Sequence, residues 1–428
     1  MSYRPAPASI GQRLLWFLEH YRPDAASLNC PVVCRLHGPL DADQLRQALV
    51  RLTLRHEALR TTLVRDGRRL VQHVHDRLPP PFRLVPVDEP DQLDRLLAAE
   101  LRTPVDVGQT PLRVTLWRLD PQQHLLCLNM HHLVSDAWSC GIVLQELIKF
   151  LAAGPDRDPG LPPVSWQYPD FARWQHQQLT SGALKVHQDY WTGQLQGMQL
   201  VPLPPARPAP DGARPTGIES AALDPAVFDN LKQIARTERT TPFAVMLALY
   251  YLLLARRTGQ TDLSVASLFA NRSVKGVQST VGFFANMVVL RTRIDPHRPF
   301  HELVRSVRRT VIEGFLHEAI PYQMLPLAGP GPGRVDDVVF QMLLTPPPGT
   351  TVAARGVEFE LHTPDSLGSR FGLELGLIPQ TTGACQAMLF YTTDRFTPAW
   401  AREFLAEYAG LARAAAHRPD REPRPVGA

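Results

Sequence analysis

The sequence has no apolar run long enough to cross a membrane. The longest, Phe243 to Ala255, falls short of the roughly 20 residues a spanning helix needs and reads as a buried helix. The N-terminus carries no basic stretch leading into an apolar core and a small-residue cleavage site, so secretion is not expected and no membrane partner is implied. Charge of one sign is equally scarce. Lysine and arginine number 45 against 41 aspartates and glutamates, a net of +4, and the basic residues are scattered in ones and twos, so no nucleic-acid groove is expected. The nearest cluster, Arg65, Arg68 and Arg69 around Asp66-Gly67, reads as a solvated hairpin tip. Cysteine is sparse: there are five, an odd number, and the closest pair, Cys30 and Cys34, has no second pair to complete a metal site. No metal is expected, and a reduced, cytoplasmic setting fits.

What remains is an ordinary globular composition, 44% hydrophobic and 20% charged, in a chain of 428 residues that is long enough for two core-forming lobes. A helix is expected after Gly38-Pro39, with Asp41 as cap, Gln44 at the reciprocal position, and Leu45, Ala48, Leu49 and Leu52 on one face. Leu112 to Leu119 and His124 to Met130 are strand-like, the second apolar enough to be central in a sheet. A helix with Ile142, Val143, Leu147, Ile148 and Leu151 as its apolar set follows. Prolines interrupt the chain at Pro159, Pro162 and Pro163, and six more lie between Val201 and Pro215. A lobe boundary near residue 175 is therefore expected, giving lobes 1–175 and 176–428. Beyond it come a helix over Val227 to Arg236, another capped by Thr241 with Pro242 at its first position, and a strand Leu263 to Leu268. The pattern is that of a mixed α/β protein.

The segment His131-His132-Leu133-Val134-Ser135-Asp136-Ala137-Trp138-Ser139 holds the residues best suited to chemistry, at the junction of a buried strand and a helix start. Adjacent residues on a strand point to opposite sides, so only one histidine can face a given cleft. A neutral imidazole can accept a proton from an amine or hydroxyl nucleophile. The N–H groups and positive dipole at the helix start could stabilise an oxyanion, while Asp136 could cap the helix or bind an arginine. Alone, this spacing reads first as two core histidines followed by a helix cap.

The neighbouring sequence narrows the choice. His131 to Ala137 resembles the H-H-x-x-x-D-G signature of nonribosomal peptide synthetase condensation domains, and further motifs follow the family's order. Ser9 to Leu18 resembles the opening motif, Arg55 to Leu63 the second, and Tyr168 to Gln175 the one that closes the first lobe. Ala270-Asn271-Arg272, Val281 to Asn286 and Val339 to Leu343 match later ones. The resemblance implies two lobes of chloramphenicol-acetyltransferase-like fold forming a V, with a tunnel between them that His132 faces. It implies a structural His131, an Asp136 paired with Arg272, and a donor channel along Ala137, Trp138 and Ser139. The implied reaction is attack by an acceptor amine on an acyl or aminoacyl thioester carried by the phosphopantetheine arm of a carrier protein. No cofactor is bound; the substrates arrive on partner acyl or peptidyl carrier proteins, and a small-molecule amine or alcohol is an alternative acceptor.

Two residues depart from the family pattern. Ala137 stands where the signature has glycine, adding a methyl group near the donor thioester, and Thr345 replaces a cleft asparagine. An ester-forming or coenzyme A-dependent acyltransferase, and a non-catalytic docking domain, are the competing readings. With no adenylation or carrier region, the chain is expected to act in trans as a free-standing enzyme, or to be a piece of a larger synthetase. Asp365-Ser366-Leu367 resembles the serine motif of carrier proteins, but its flanks read as strands and no carrier site is expected. Trp16, Phe17 and Trp174 read as core or lobe packing.

Overall fold

The computed structural model describes residues 2–21, 28–207, 216–325, 334–343, 350–362 and 371–417. Thr345 and Asp365-Ser366-Leu367 lie outside the described residues. The protein is a mixed α/β fold made of two compact units, each holding a six-stranded open sheet. The first unit comprises Met1–Ala183, Ala270–Ala285 and Pro348–Leu367, and the second Leu184–Phe269, Asn286–Pro347 and Gly368–Ala428. A single cut near residue 175 therefore does not describe the chain. Gln175 lies within the helix Tyr168–Thr180, where its side-chain oxygen accepts a hydrogen bond from the Ile10 N–H at 2.7 Å. That bond, with Tyr168 and Phe171 buried in the core, joins the helix to the first unit, and two segments from the second half of the chain return to it.

In the first unit the large sheet runs Thr351–Ala354, Val357–His362, Asn29–His37, Gln123–His131, Leu112–Asp120, Phe82–Pro86. Gln123–His131 is paired on both sides and buried from His124 onward, as its nearly continuous apolar run requires. Val357–His362 adds antiparallel to Asn29–His37, so a strand from late in the sequence completes the early sheet. The hairpin Thr61–Asp66 and Arg69–His75, joined to Tyr3–Pro7, makes a small second sheet whose tip carries the exposed Arg65, Arg68 and Arg69.

The second unit's sheet runs Asn286–Arg293, Asp262–Phe269, Val338–Met342, Leu373–Pro379, Cys385–Thr392, Thr216–Leu223, with Val338–Met342 parallel to both neighbours. Its innermost helix is Pro242–Thr258, buried from Ala244 to Ala255, with Thr241 accepting from the Ala244 N–H at 3.3 Å. Among the described residues no helix is long and apolar enough to cross a membrane.

The helix Ala42–Arg55 begins as its sequence predicts, with the Asp41 carboxylate accepting from the N–H groups of Asp43 and Gln44 and its Leu45, Ala48, Leu49 and Leu52 face buried. It ends in an ion cluster that locks the helix Ala137–Ala153. His56 Nε2 donates to Glu146 at 2.7 Å, and the Arg55 guanidinium donates to both carboxylate oxygens at 2.7 and 3.3 Å. Burial pushes the Glu146 carboxyl up, but these hydrogen bonds overcome it and leave the group below its ordinary value. The stabilisation is thus fully present above the unfolded-state glutamate pKa of about 4.3 and is lost as pH falls through the lower folded value. Glu146→Ala is expected to cost about 3 kcal/mol in urea unfolding at pH 7, since it strands the buried His56 and takes the carboxylate from the partly buried Arg55. The difference from wild type should shrink below pH 4; a difference that stays constant to pH 3 would exclude this role.

Candidate active site

The strand Gln123–His131 ends at His131, and His132 opens a single 3-10 turn, His132–Val134, before the helix Ala137–Ala153. The two histidines are therefore separated by a change of backbone conformation, not by the alternation of a continuing strand. Their hydrogen bonds set opposite tautomers. His131 is 2% exposed, and its Nδ1 accepts from the Leu133 N–H at 3.1 Å, which leaves the proton on Nε2 to reach Glu19 at 3.4 Å. His132 is only partly buried, and its Nδ1 lies 2.8 Å from the Ser135 carbonyl. A carbonyl can only accept, so Nδ1 carries the proton and, in the neutral ring, Nε2 presents a lone pair. Among the described residues nothing bonds that Nε2, and the Phe283 ring stands edge-on to the imidazole at 5.1 Å.

Asp136 caps the helix and is 2% exposed. One carboxylate oxygen accepts from the Ser139 N–H at 2.7 Å, and the other accepts from the N–H groups of Phe284 and Ala285 at 3.0 and 3.2 Å. Arg272 Nη2 reaches both oxygens, at 3.1 and 3.3 Å, and Ser139 Oγ at 2.9 Å, while its Nη1 donates to the carbonyls of Val277 and Thr280 at 2.8 and 2.7 Å. Burial lowers the Arg272 guanidinium from its ordinary value and Asp136 pulls it back up. Phe284 lies under its charge at 4.1 Å. Asn271 takes φ +51°, a left-handed conformation that asparagine tolerates better than most residues, and the turn it makes precedes Arg272.

Ala137 and Trp138 are exposed at the helix start, and among the described residues their N–H groups have no partner. Trp138 is tethered by its Nε1–H to the Gln278 carbonyl at 2.9 Å. Ser139, expected beside them in the donor channel, is instead fully buried: its Oγ donates to the Gly282 carbonyl at 2.8 Å and accepts from Gly282 N–H and Arg272. With its hydroxyl fully engaged it belongs to the support of the site. Ala137 sits at the first helical position and is not among the residues with positive φ, so its methyl group imposes no backbone strain.

The motif residues that the sequence marked without a role turn out to brace this turn. Gln12 is fully buried and donates from Nε2 to the Leu133 carbonyl at 2.9 Å, tying the opening motif to the loop after His132. The Tyr168 hydroxyl donates to the Phe283 carbonyl at 2.5 Å and accepts from Ser9 Oγ at 2.7 Å. Gly282 has no room for a side chain, because a Cβ there would lie 1.9 Å from the Tyr168 ring. Buried polar residues in motifs carry the signal for such bracing, but only the fold reveals their partners. Trp16 and Trp174 pack against the first unit's core as expected, whereas Phe17 is 52% exposed.

Comparison with known proteins gives this geometry its context. The model of the condensation domain family matches residues 4–425. The chain belongs to the condensation-domain family of nonribosomal peptide synthetases. It is 33% identical over 440 residues to phosphinothricin tripeptide synthetase PhsC of Streptomyces viridochromogenes, covering 97% of this chain and 39% of that protein. This condensation domain thus spans well under half the length of that curated relative. Among solved structures it resembles SgcC5 of Streptomyces globisporus, at 27% identity and TM-score 0.78, over 97% of this chain and 99% of that one. The condensation domain of the monacolin K polyketide synthase MokA shares the fold at TM-score 0.84 and 22% identity, over 98% and 99% of the two chains.

Arg272→Met should destabilise this condensation domain by about 3 kcal/mol or more, because it leaves the Asp136 carboxylate buried without its counter-charge. Arg272→Lys, which restores charge but not the guanidinium fork, should recover only part of the loss. Wild-type stability for Arg272→Met in urea titration would rule the pair out as the support of the turn.

Proposed function

We propose that the protein transfers an acyl or aminoacyl group from a carrier-bound phosphopantetheine thioester to an acceptor amine, with His132 as the catalytic residue. The observation that carries this reading is the 2.8 Å bond from His132 Nδ1 to the Ser135 carbonyl, which makes Nε2 the acceptor of the neutral ring, on a partly exposed side chain. As the amine nitrogen bonds to the thioester carbon, Nε2 takes its proton, and the carbonyl oxygen gains charge that the N–H groups of Ala137 and Trp138 can receive. Collapse breaks the carbon–sulfur bond, and the proton passes to the departing sulfur, giving an amide and a free thiol. Asp136 takes no proton in this scheme, because Arg272 and backbone N–H groups occupy its oxygens. The carrier proteins enter as partners through the thioester they bear.

A hydroxyl acceptor is the second reading. It is favoured by the 27%-identical SgcC5, whose structure is a complex with (R)-(-)-1-(2-naphthyl)-1,2-ethanediol and sucrose. The same proton path then yields an ester.

Intact-mass analysis of loaded carrier proteins, mixed with a panel of amines and alcohols, decides between these. Wild type is expected to unload the donor onto amines, and His132→Ala to lose at least about 100-fold in rate while keeping its unfolding midpoint. Near-wild-type turnover by His132→Ala would sink the assignment, and binding of a carrier with no transfer to any acceptor would point to a docking role. Ala137→Gly should fold with a cost below about 1 kcal/mol, a helix-propensity effect, and should favour bulkier donors in competition assays. An unchanged donor preference would remove Ala137 from the channel.

A further inference from the structure

Two thiols lie beside the histidine motif and take no part in the transfer chemistry. Cys30 stands on the strand Asn29–His37, opposite Met130 and next to Asn29, which pairs in register with His131. Cys140 follows Ser139 in the first turn of the helix Ala137–Ala153, its N–H bonded to the Asp136 carbonyl at 2.9 Å. Although 110 positions apart in sequence, their Sγ atoms are 3.4 Å apart. Both are partly exposed, whereas Cys34, Cys127 and Cys385 are buried. Burial pushes those three thiols up, Cys34 and Cys385 to about 12. The Cys30 thiol goes the other way. Its contact with Cys140 lowers it first, and a hydrogen bond to Ser135 adds to this against burial and Asp136, while Cys140 is raised well above its ordinary value. The contact thus favours one thiolate held against one thiol, the arrangement that stepwise oxidation requires.

We propose that Cys30 and Cys140 form a redox modification site, a thiol pair that hydrogen peroxide closes into a disulfide and that a thiol reductant reopens. In the first step the Cys30 thiolate attacks one peroxide oxygen: a sulfur–oxygen bond forms, the oxygen–oxygen bond breaks, and hydroxide leaves to be protonated to water. Cys30 is oxidised to the sulfenic acid and peroxide is reduced. Cys140 then attacks that sulfur, the sulfur–sulfur bond forms, and the hydroxyl leaves as a second water carrying the Cys140 proton. A disulfide holds its sulfurs about 2.05 Å apart, so closure draws the helix start toward the sheet by up to about 1.4 Å. That movement displaces Ala137 and Trp138 relative to His132 and slows transfer. The slowing rests on the acyl-transfer reading, whereas the modification itself does not.

The test is peptide mapping of the full chain, without reduction, after exposure to hydrogen peroxide. The expected product is a cross-linked pair of peptides containing Cys30 and Cys140, with loss of two hydrogens from the intact mass, reversed by dithiothreitol and missing from Cys30→Ser and Cys140→Ser. In reduced protein, iodoacetamide should modify Cys30 roughly tenfold faster than Cys34, Cys127 or Cys385. Sulfinic acid on either cysteine without a cross-link, or two unmodified thiols after the methionines have oxidised, overturns the proposal; wild-type mapping decides this even if a serine variant fails to fold. Transfer assayed in parallel should fall by roughly tenfold on oxidation and recover on reduction. A cross-link that leaves transfer undiminished overturns the control of activity, and a reduced protein that cross-links but never transfers counts against the acyl-transfer reading alone.

Discussion

The carboxylate of Asp136 is the point on which the functional face of the first unit depends. It is a nearly fully buried charge, and such a charge persists only if every lone pair is met. Here the partners come from three stretches of chain: the helix it caps, the backbone at Phe284 and Ala285, and Arg272. Satisfying one buried anion therefore fixes where the segment Ala270–Ala285 lies against the histidine motif. A buried ion pair of this kind is weak evidence for net stability, but it defines a single arrangement of the groups around it.

That arrangement gives two adjacent histidines different chemistry without any difference in residue type. An amide N–H facing His131 Nδ1 and a carbonyl facing His132 Nδ1 force opposite tautomers. The strand ends between them, so His131 is held in the sheet and His132 emerges on a turn braced by Gln12 and Tyr168. The ion cluster of Glu146 with Arg55 and His56 serves the same end further along the motif helix.

Much of the local structure was legible beforehand, because it depends on neighbours in sequence. The Asp41 cap, the apolar face Leu45 to Leu52, the buried strand before His131 and the Thr241-Pro242 helix start all formed where periodicity and capping chemistry predicted. The motif order also named Arg272 as a partner for Asp136, although spacing alone could not have. Other readings failed where the outcome depended on distant segments. Ser139 turned inward to Gly282 and Arg272, Phe17 remained exposed, and the first unit runs on past residue 175 to Ala183 and takes in two later segments. No pattern in the sequence announced that Cys30 and Cys140 would touch, or that Val357–His362 would join a strand laid down more than three hundred residues earlier.

The sequence by itself thus determined the family, the elements and the residue types available at the motif, since short-range periodicity, caps and ordered motifs are properties of a linear chain. Tertiary structure decided which of those residues are free to react. Whether a nitrogen holds a proton or a lone pair, whether a serine lines a channel or a support, and whether two thiols can meet are all set by partners brought from elsewhere in the chain. The physical reason is that hydrogen bonds and burial act through space, and the residues that impose them on His132, Asp136 and Cys30 lie between three and 149 positions away.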